Sequence, residues 1–246
     1  MKKIVCFICA VALVSISSFA SGKESKNWYF SSRNQNDRPS LPAVDDTVAK
    51  GMGRDEKVVY LTFDAGYENG NVEKIVDILK ENEVTGAFFV LRHFVEKNPD
   101  LTRTIKENGN LICHHTATHP NITTLSKEDL KSEIEELERV LTETLGVMPD
   151  PYFRPPEGCY SDESLSYVKE FGYRTVFWSL AWADWDNNNQ KSYEYAMDKL
   201  TKRVHNGAVI LLHPTSETNV KILPDFIAQL KSEGYRFENL NTLWDA

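Results

Sequence analysis

Positive charge is scarce in this sequence. Its 28 Lys and Arg stand against 36 Asp and Glu, a formal charge of -8 at pH 7. No basic stretch is available to track a phosphate backbone, which argues against nucleic acid as a partner. Acidity selects no partner by itself; it reports solubility and repulsion from anionic surfaces. Cysteine is scarce as well. Of the four, Cys6 and Cys9 fall in an N-terminal apolar run, and the remaining Cys113 and Cys159 are too few for a disulfide scaffold. A bond between those two, contact with a metal, and burial as small hydrophobes all stay open. No repeat recurs along the chain. Long apolar runs are lacking apart from residues 4–14, a stretch short for a membrane span.

That run has informative flanks. Lys2 and Lys3 precede it, and Ser17, Ser18, Ala20, Ser21 and Gly22 follow. This is the layout of a secretory signal cleaved after Ala20. An uncleaved anchor is the alternative, and either one places the rest of the chain outside the cytoplasm. The sequence therefore divides into a signal at 1–20, a lead-in segment at 21–54 punctuated by Pro39, Pro42, Gly51 and Gly53, and a domain at 55–246. The aromatic cluster of the lead-in, Asn27-Trp28-Tyr29-Phe30, reads as packing onto the body rather than as a ligand site.

From Lys57 onward the chain alternates strand and helix. Segments at 58–63, 86–91, 111–115, 152–154, 174–180, 208–213 and 235–237 read as strands. Between them Val72, Ile75, Val76 and Leu79 recur at helical spacing, and a further helical segment covers 101–107. Leu130, Ile134, Leu137, Leu141 and Leu145 mark a long amphipathic helix opened by a cap signal at Ser126 and Asp129. Ser161 caps a helix carrying Leu165 and Val168, residues 193–204 form another, and Leu223, Phe226, Ile227 and Leu230 lie on the last. About seven βα units argue for a parallel sheet. A (β/α) barrel fits, with an open doubly wound sheet as the other possibility. Asp64, His115, Arg154 and His213 fall at or just past the C-terminal ends of strands, and Asp184 lies in the loop after another. Catalytic groups gather on that face in either architecture.

Several local patterns have a chemistry of their own. His115 and His119, four apart, can grip one divalent ion. His114, on the opposite side of a strand from His115, reads as packing. Asp64 ends the first strand of the domain beside Gly66 and can act as a general base, or simply open an Asx turn. In the R-P-P-E-G stretch at 154–158 two prolines fix φ and a glycine permits unusual angles. Such a turn can aim an arginine inward and leave a backbone N–H for an oxyanion. His213 ends a buried strand with a pKa suited to a general acid; Asp184 can orient it, and Trp185 offers an aromatic wall.

Taken in order, Asp64, H-T-x-x-H at 115–119, R-P-P-x-G at 154–158, D-W at 184–185 and L-L-H at 211–213 resemble the polysaccharide deacetylase domain, family four of the carbohydrate esterases. The resemblance covers roughly residues 57–237. It implies a distorted (β/α) barrel of about seven strands and one divalent-metal site, usually Zn2+. It implies Asp64 as catalytic base held by Arg154, His115 and His119 as metal ligands, and His213 as catalytic acid tuned by Asp184. Glu157 would contribute its N–H to the oxyanion, with Tyr67 and Trp185 at the substrate. Most of the family reads T-F-D-D-G and uses the second aspartate as a third metal ligand; here that position is Ala65, which leaves two protein ligands. T-F-D-x-G-Y-E-N-G at 62–70, W-S-L-A at 178–181 and N-W-Y-F at 27–30 resemble the sporulation-type N-acetylmuramic acid deacetylases. That likeness implies a peptidoglycan glycan strand as partner, acted on at muramic residues stripped of peptide, as a step towards muramic δ-lactam in spore cortex. No obligate protein partner is implied. Deacetylation of N-acetylglucosamine in peptidoglycan or chitin, or of an esterified xylan, is a second reading. Carbohydrate binding on an inactive scaffold is a third; Ala65 favours it, and the retention of Asp64, Arg154, Asp184 and His213 opposes it.

Overall fold

A computed structural model of the chain describes residues 24–29, 31–33, 37 and 55–244. The expected signal at 1–20, Phe30 and most of the lead-in segment lie outside the described residues. In chain order the strands and helices are β1 (Lys26–Asn27), β2 (Val58–Ala65), α1 (Val72–Glu81), β3 (Gly86–Val90), α2 (Arg92–Lys97), α3 (Pro99–Glu107) and β4 (Leu111–His114). There follow α4 (Lys127–Leu145), β5 (Tyr152–Phe153), β6 (Cys159–Tyr160), α5 (Asp162–Glu170), β7 (Arg174–Thr175) and β8 (Leu180–Ala181). The last are α6 (Tyr193–Thr201), β9 (Ala208–Leu212), α7 (Glu217–Ser232) and β10 (Arg236–Phe237).

The main sheet is parallel, in the order β7-β5-β4-β3-β2-β9-β8, with β10 added alongside the start of β2. Strand β2 is central because its run of β-branched and aromatic residues can be buried on both faces. Val59, Leu61 and Phe63 meet Ile75, Val76 and Leu79 of α1 and Phe226 and Ile227 of α7 in one apolar layer. Val58 and Tyr60 point the other way, into a second layer with Phe89, Leu111, Cys113, Tyr152, Val176 and Val209. The sheet thus curls around its own interior while helices cover its outside. This is the distorted (β/α) barrel expected, built on a path of seven strands.

One expected element divides. Residues 174–180 do not make a single strand: β7 pairs with β5 at one end of the sheet and β8 pairs with β9 at the other. Residues 176–179 cross between the two ends, tied by the Val176 N–H to the Phe153 carbonyl and the Ser179 N–H to the Val209 carbonyl. All four are buried, so the stretch has the hydrophobicity of a strand without a ladder of its own. The long helix α4 forms as its pattern requires. Ser126 accepts from the Asp129 N–H at its start, and Gly146 ends it at φ 73°. Cys113 and Cys159 are both buried and unbonded to each other; Cys113 packs as a small hydrophobe, while the Cys159 thiol donates to Asn27 Oδ1 at 2.8 Å.

Candidate active site

The C-terminal ends of the parallel strands open into a cleft of about 910 Å³, near the top of the ~300–1,000 Å³ of typical ligand pockets. Asp64, Tyr67, His115, His119, Glu157, Trp185 and His213 all line it. Arg154 and Asp184, both wholly buried, stand behind that lining and hold it from within. All nine residues singled out in the sequence therefore belong to one place.

Arg154 is the buried link. Its Nη1 donates to Asp64 Oδ1 at 2.7 Å, Nη2 to Thr62 Oγ1 at 2.8 Å and Nε to the Val176 carbonyl at 3.1 Å. The guanidinium lies 4.2 Å above the Phe89 ring, a cation–π contact. Burial alone would raise the Asp64 pKa, but Arg154, with His115 and His213, holds it below the usual carboxylate range. Asp64 is therefore ionised at neutral pH, with Oδ1 fixed by the arginine and Oδ2 3.7 Å from His115 Nε2.

The same residue sets the tautomer of His115. The Arg154 carbonyl accepts from His115 Nδ1 at 2.8 Å, so the proton sits on Nδ1 and Nε2 keeps its lone pair. Burial lowers the His115 pKa to about 4, leaving the neutral imidazole that a metal requires. Its neighbour His119 lies with ring centroids 5.0 Å away. The loop between them is strained, with Thr116 at φ 70° and His119 at φ 64°. Three groups hold it. His114, buried against Phe153 and Tyr173, accepts from the Thr116 N–H at 3.0 Å. Thr116 Oγ1 accepts from the His119 N–H at 3.0 Å. Glu133 accepts from the N–H groups of Ala117 and Thr118 and from the Thr118 hydroxyl, at 2.7–2.9 Å. His114 thus packs behind the strand as expected, and beyond that it braces the loop through the Thr116 N–H.

Two neighbouring imidazoles suit a divalent ion, yet they do not make a complete protein shell. Among the described residues no three His, Cys, Asp or Glu side chains are grouped to hold a metal together. Ala65 is fully buried in the apolar layer of Phe63 and Val90 and offers no donor. The donor set fits an ion whose remaining positions are filled by solvent or substrate.

On β9's end, His213 Nδ1 donates to Asp184 Oδ1 at 2.7 Å and its backbone N–H to Asp184 Oδ2 at 2.8 Å. Asn219, buried on α7, donates to Asp184 Oδ2 at 2.6 Å and to the His213 carbonyl at 3.0 Å. Burial lowers the His213 pKa, but Asp184 outweighs it and the net shift is upward. With Nδ1 engaged, the free ring nitrogen is Nε2. Trp185, 62% exposed, stands 6.4 Å from the His213 ring, and the Tyr67 hydroxyl accepts from Asn187 at 2.6 Å.

Glu157 adopts φ 56° and turns the chain along the cleft. The next residue must be glycine. At φ 68°, a Cβ on Gly158 would lie 2.9 Å from the Trp28 carbonyl and 2.9 Å from the Trp178 ring. Thr62, Glu133 and Asn219 were not legible as site residues, because each acts through tertiary contacts that no local pattern announces.

The model of the polysaccharide deacetylase family matches residues 51–176. The chain is similar to the peptidoglycan-N-acetylmuramic acid deacetylase PdaA of Bacillus subtilis, at 38% identity over 98% of this chain and 95% of that protein. The solved structure of PdaA, described as a family 4 carbohydrate esterase, matches with a TM-score of 0.83 over 90% of this chain and 97% of that one. A family 4 carbohydrate esterase from Bacillus anthracis matches at 32% identity and a TM-score of 0.74, over 92% of this chain and 99% of that one. A peptidoglycan-N-acetylglucosamine deacetylase of Bacillus cereus is 31% identical over 76% of this chain and 68% of its own length.

Proposed function

Because this chain belongs to the polysaccharide deacetylase family, we propose that it removes the acetyl group from N-acetylmuramic acid residues of peptidoglycan glycan strands that carry no peptide. It is a hydrolase of linear amide bonds, and the choice of sugar is the part proposed. The observation that carries this choice is the similarity to an N-acetylmuramic acid deacetylase along nearly the whole chain. The reaction is placed outside the cytoplasm, on the strength of the signal-like run at 4–14, as a step towards muramic δ-lactam in spore cortex.

The geometry supports the following roles. Water adds to the acetamide carbonyl as Asp64 Oδ2 takes its proton. Arg154 makes Asp64 a weaker base but keeps it ionised and aimed. His213, protonated through Asp184, gives the proton on Nε2 to the sugar nitrogen as the C–N bond breaks, since an amide anion is too poor a leaving group to depart alone. Acetate and the free amine are the products. Glu157, on the turn along the cleft, would supply its backbone N–H to the oxygen that gains charge. His115 and His119 would hold a divalent ion, zinc by family habit, and its contribution when bound is to polarise the carbonyl and stabilise charge on its oxygen.

One observation favours a second reading. Among the described residues, Asp64 and Glu157 line the cleft and no Lys or Arg does. A muramic residue without peptide carries a lactyl carboxylate, whereas N-acetylglucosamine is neutral, and a lining with no Lys or Arg offers that carboxylate no dedicated partner. Acetate release measured on peptide-free peptidoglycan strands and on chitooligosaccharides separates the two. Faster release from the peptidoglycan strands supports the muramic reading, and release from chitooligosaccharides alone overturns it.

A further inference from the structure

Trp28 and Tyr29 are adjacent aromatic residues with different surroundings. Trp28 is buried and stacks on Phe177, with ring centroids 4.7 Å apart. Its indole N–H donates to the Trp178 carbonyl at 2.7 Å and its backbone N–H to the Gly158 carbonyl at 2.9 Å. Just before it, β1 pairs antiparallel with β6. Beyond Tyr29, the Ser31 hydroxyl donates to the Ala181 carbonyl at 2.9 Å and the Ser32 N–H to the Ser179 carbonyl at 2.8 Å. The backbone is thus tied to the body before and after Tyr29. The Tyr29 side chain is 78% exposed and forms part of the cleft wall. The expectation that this aromatic cluster only packs onto the body holds for Trp28 and fails for Tyr29.

A ring left this exposed gains little from the core, so its own packing does not explain its position. Its anchors do. They run to Gly158 and Ala181, which line the cleft too, while Asp64, His115 and His213 stand at or just past the ends of β2, β4 and β9. The cleft, at about 910 Å³, is larger than a single amino sugar requires. A pyranose ring presents C–H groups of slight positive charge on its face, and an aromatic face is the negative pole of its quadrupole. We propose that Tyr29 stacks on the sugar next to the one being deacetylated, and that Tyr29 and Ser31 form a wall of the glycan-binding cleft. This rests on the glycan-strand reading above. Tyr29 touches the chain away from the scissile amide, so it governs affinity for oligosaccharides and leaves the chemical step alone.

The test compares the full chain with Tyr29→Ala, Tyr29→Phe and Tyr29→Trp. Binding of a peptide-free peptidoglycan tetrasaccharide is measured by calorimetry, alongside KM and kcat for acetate release. Tyr29→Ala should raise Kd and KM about tenfold, equivalent to ~1.4 kcal/mol, with kcat unchanged. Tyr29→Phe and Tyr29→Trp should restore both, and binding of a single N-acetylated sugar should be the same in all four proteins. An unchanged thermal transition shows that the exposed side chain was not needed for folding. Equal tetrasaccharide binding by wild type and Tyr29→Ala overturns the proposal. So does a Tyr29→Phe and Tyr29→Trp pair as weak as Tyr29→Ala, since the ring face would then not be what binds. Should wild type bind the tetrasaccharide yet release no acetate, the substrate reading fails while the binding comparison still decides Tyr29.

Discussion

Arg154 bonds to three parts of the sheet at once: Asp64 and Thr62 on β2, the Val176 carbonyl beyond β7, and His115 through its own carbonyl. The proposed base and the proposed metal ligand are therefore set by one buried side chain and its backbone. Asp64→Asn keeps an acceptor for Nη1 but loses the basic oxygen, so turnover should fall by about 10²–10⁴-fold, the usual worth of a general base, with the fold retained by circular dichroism. The opposite end of the proposed reaction falls to His213. Its pKa is raised by Asp184, so the ion pair contributes stability below the unfolded value of about 6.5 and loses it as pH rises through the higher folded value. The active, protonated acid disappears over the same rise, which makes His213 the basic limb of the pH–rate profile. Asp184→Asn removes the charge that raises the pKa, so that limb should move to lower pH and turnover should slow, with bound metal unchanged. A limb that stays put would make Asp184 a purely structural residue.

At the scale of elements, the loop from β4 to α4 concentrates strain where the two imidazoles must converge. Glu133 on α4 satisfies three of its donors. Glu133→Ala should let Thr116 and His119 relax from positive φ and weaken zinc binding by roughly 10–100-fold, as removal of outer partners of metal ligands does. Competition with a chromogenic chelator reads that directly, and zinc affinity equal to wild type would assign the loop's shape to His114 and Thr116 instead. The elements themselves were mostly legible. Buried parallel strands such as β2, β3 and β9 announce themselves as short apolar runs. The crossing at 176–179 was not, because Val176, Phe177 and Trp178 are as apolar as any strand, and only pairing reveals that they bridge two sheet ends. Helix α2 was missed because six residues with Phe94 and Val95 buried carry too little periodicity. The candidate site residues were legible for a different reason: polar groups at the ends of apolar runs stand out, whereas Asn219 in the first turn of α7 and Glu133 in the middle of α4 sit among ordinary polar neighbours.

Across the whole molecule, the described residues contain no helix long and apolar enough to cross a membrane. The proposed export rests on the run at 4–14, and N-terminal sequencing of secreted protein should begin at Ser21. The two-imidazole donor set has a consequence for the intact enzyme as well. Chelation should abolish acetate release and zinc should restore it, with metal lost more readily than from a site of three protein ligands; full activity in metal-free protein would remove the ion from the reaction. The central claim is that this cleft deacetylates muramic residues of peptide-free strands. The most direct test is mass spectrometry of purified, peptide-free peptidoglycan fragments after incubation with the enzyme, with fragmentation to place the change. Loss of one acetyl group from the muramic sugar is the predicted result. Loss from the glucosamine sugar, or no loss in the presence of zinc, would contradict it.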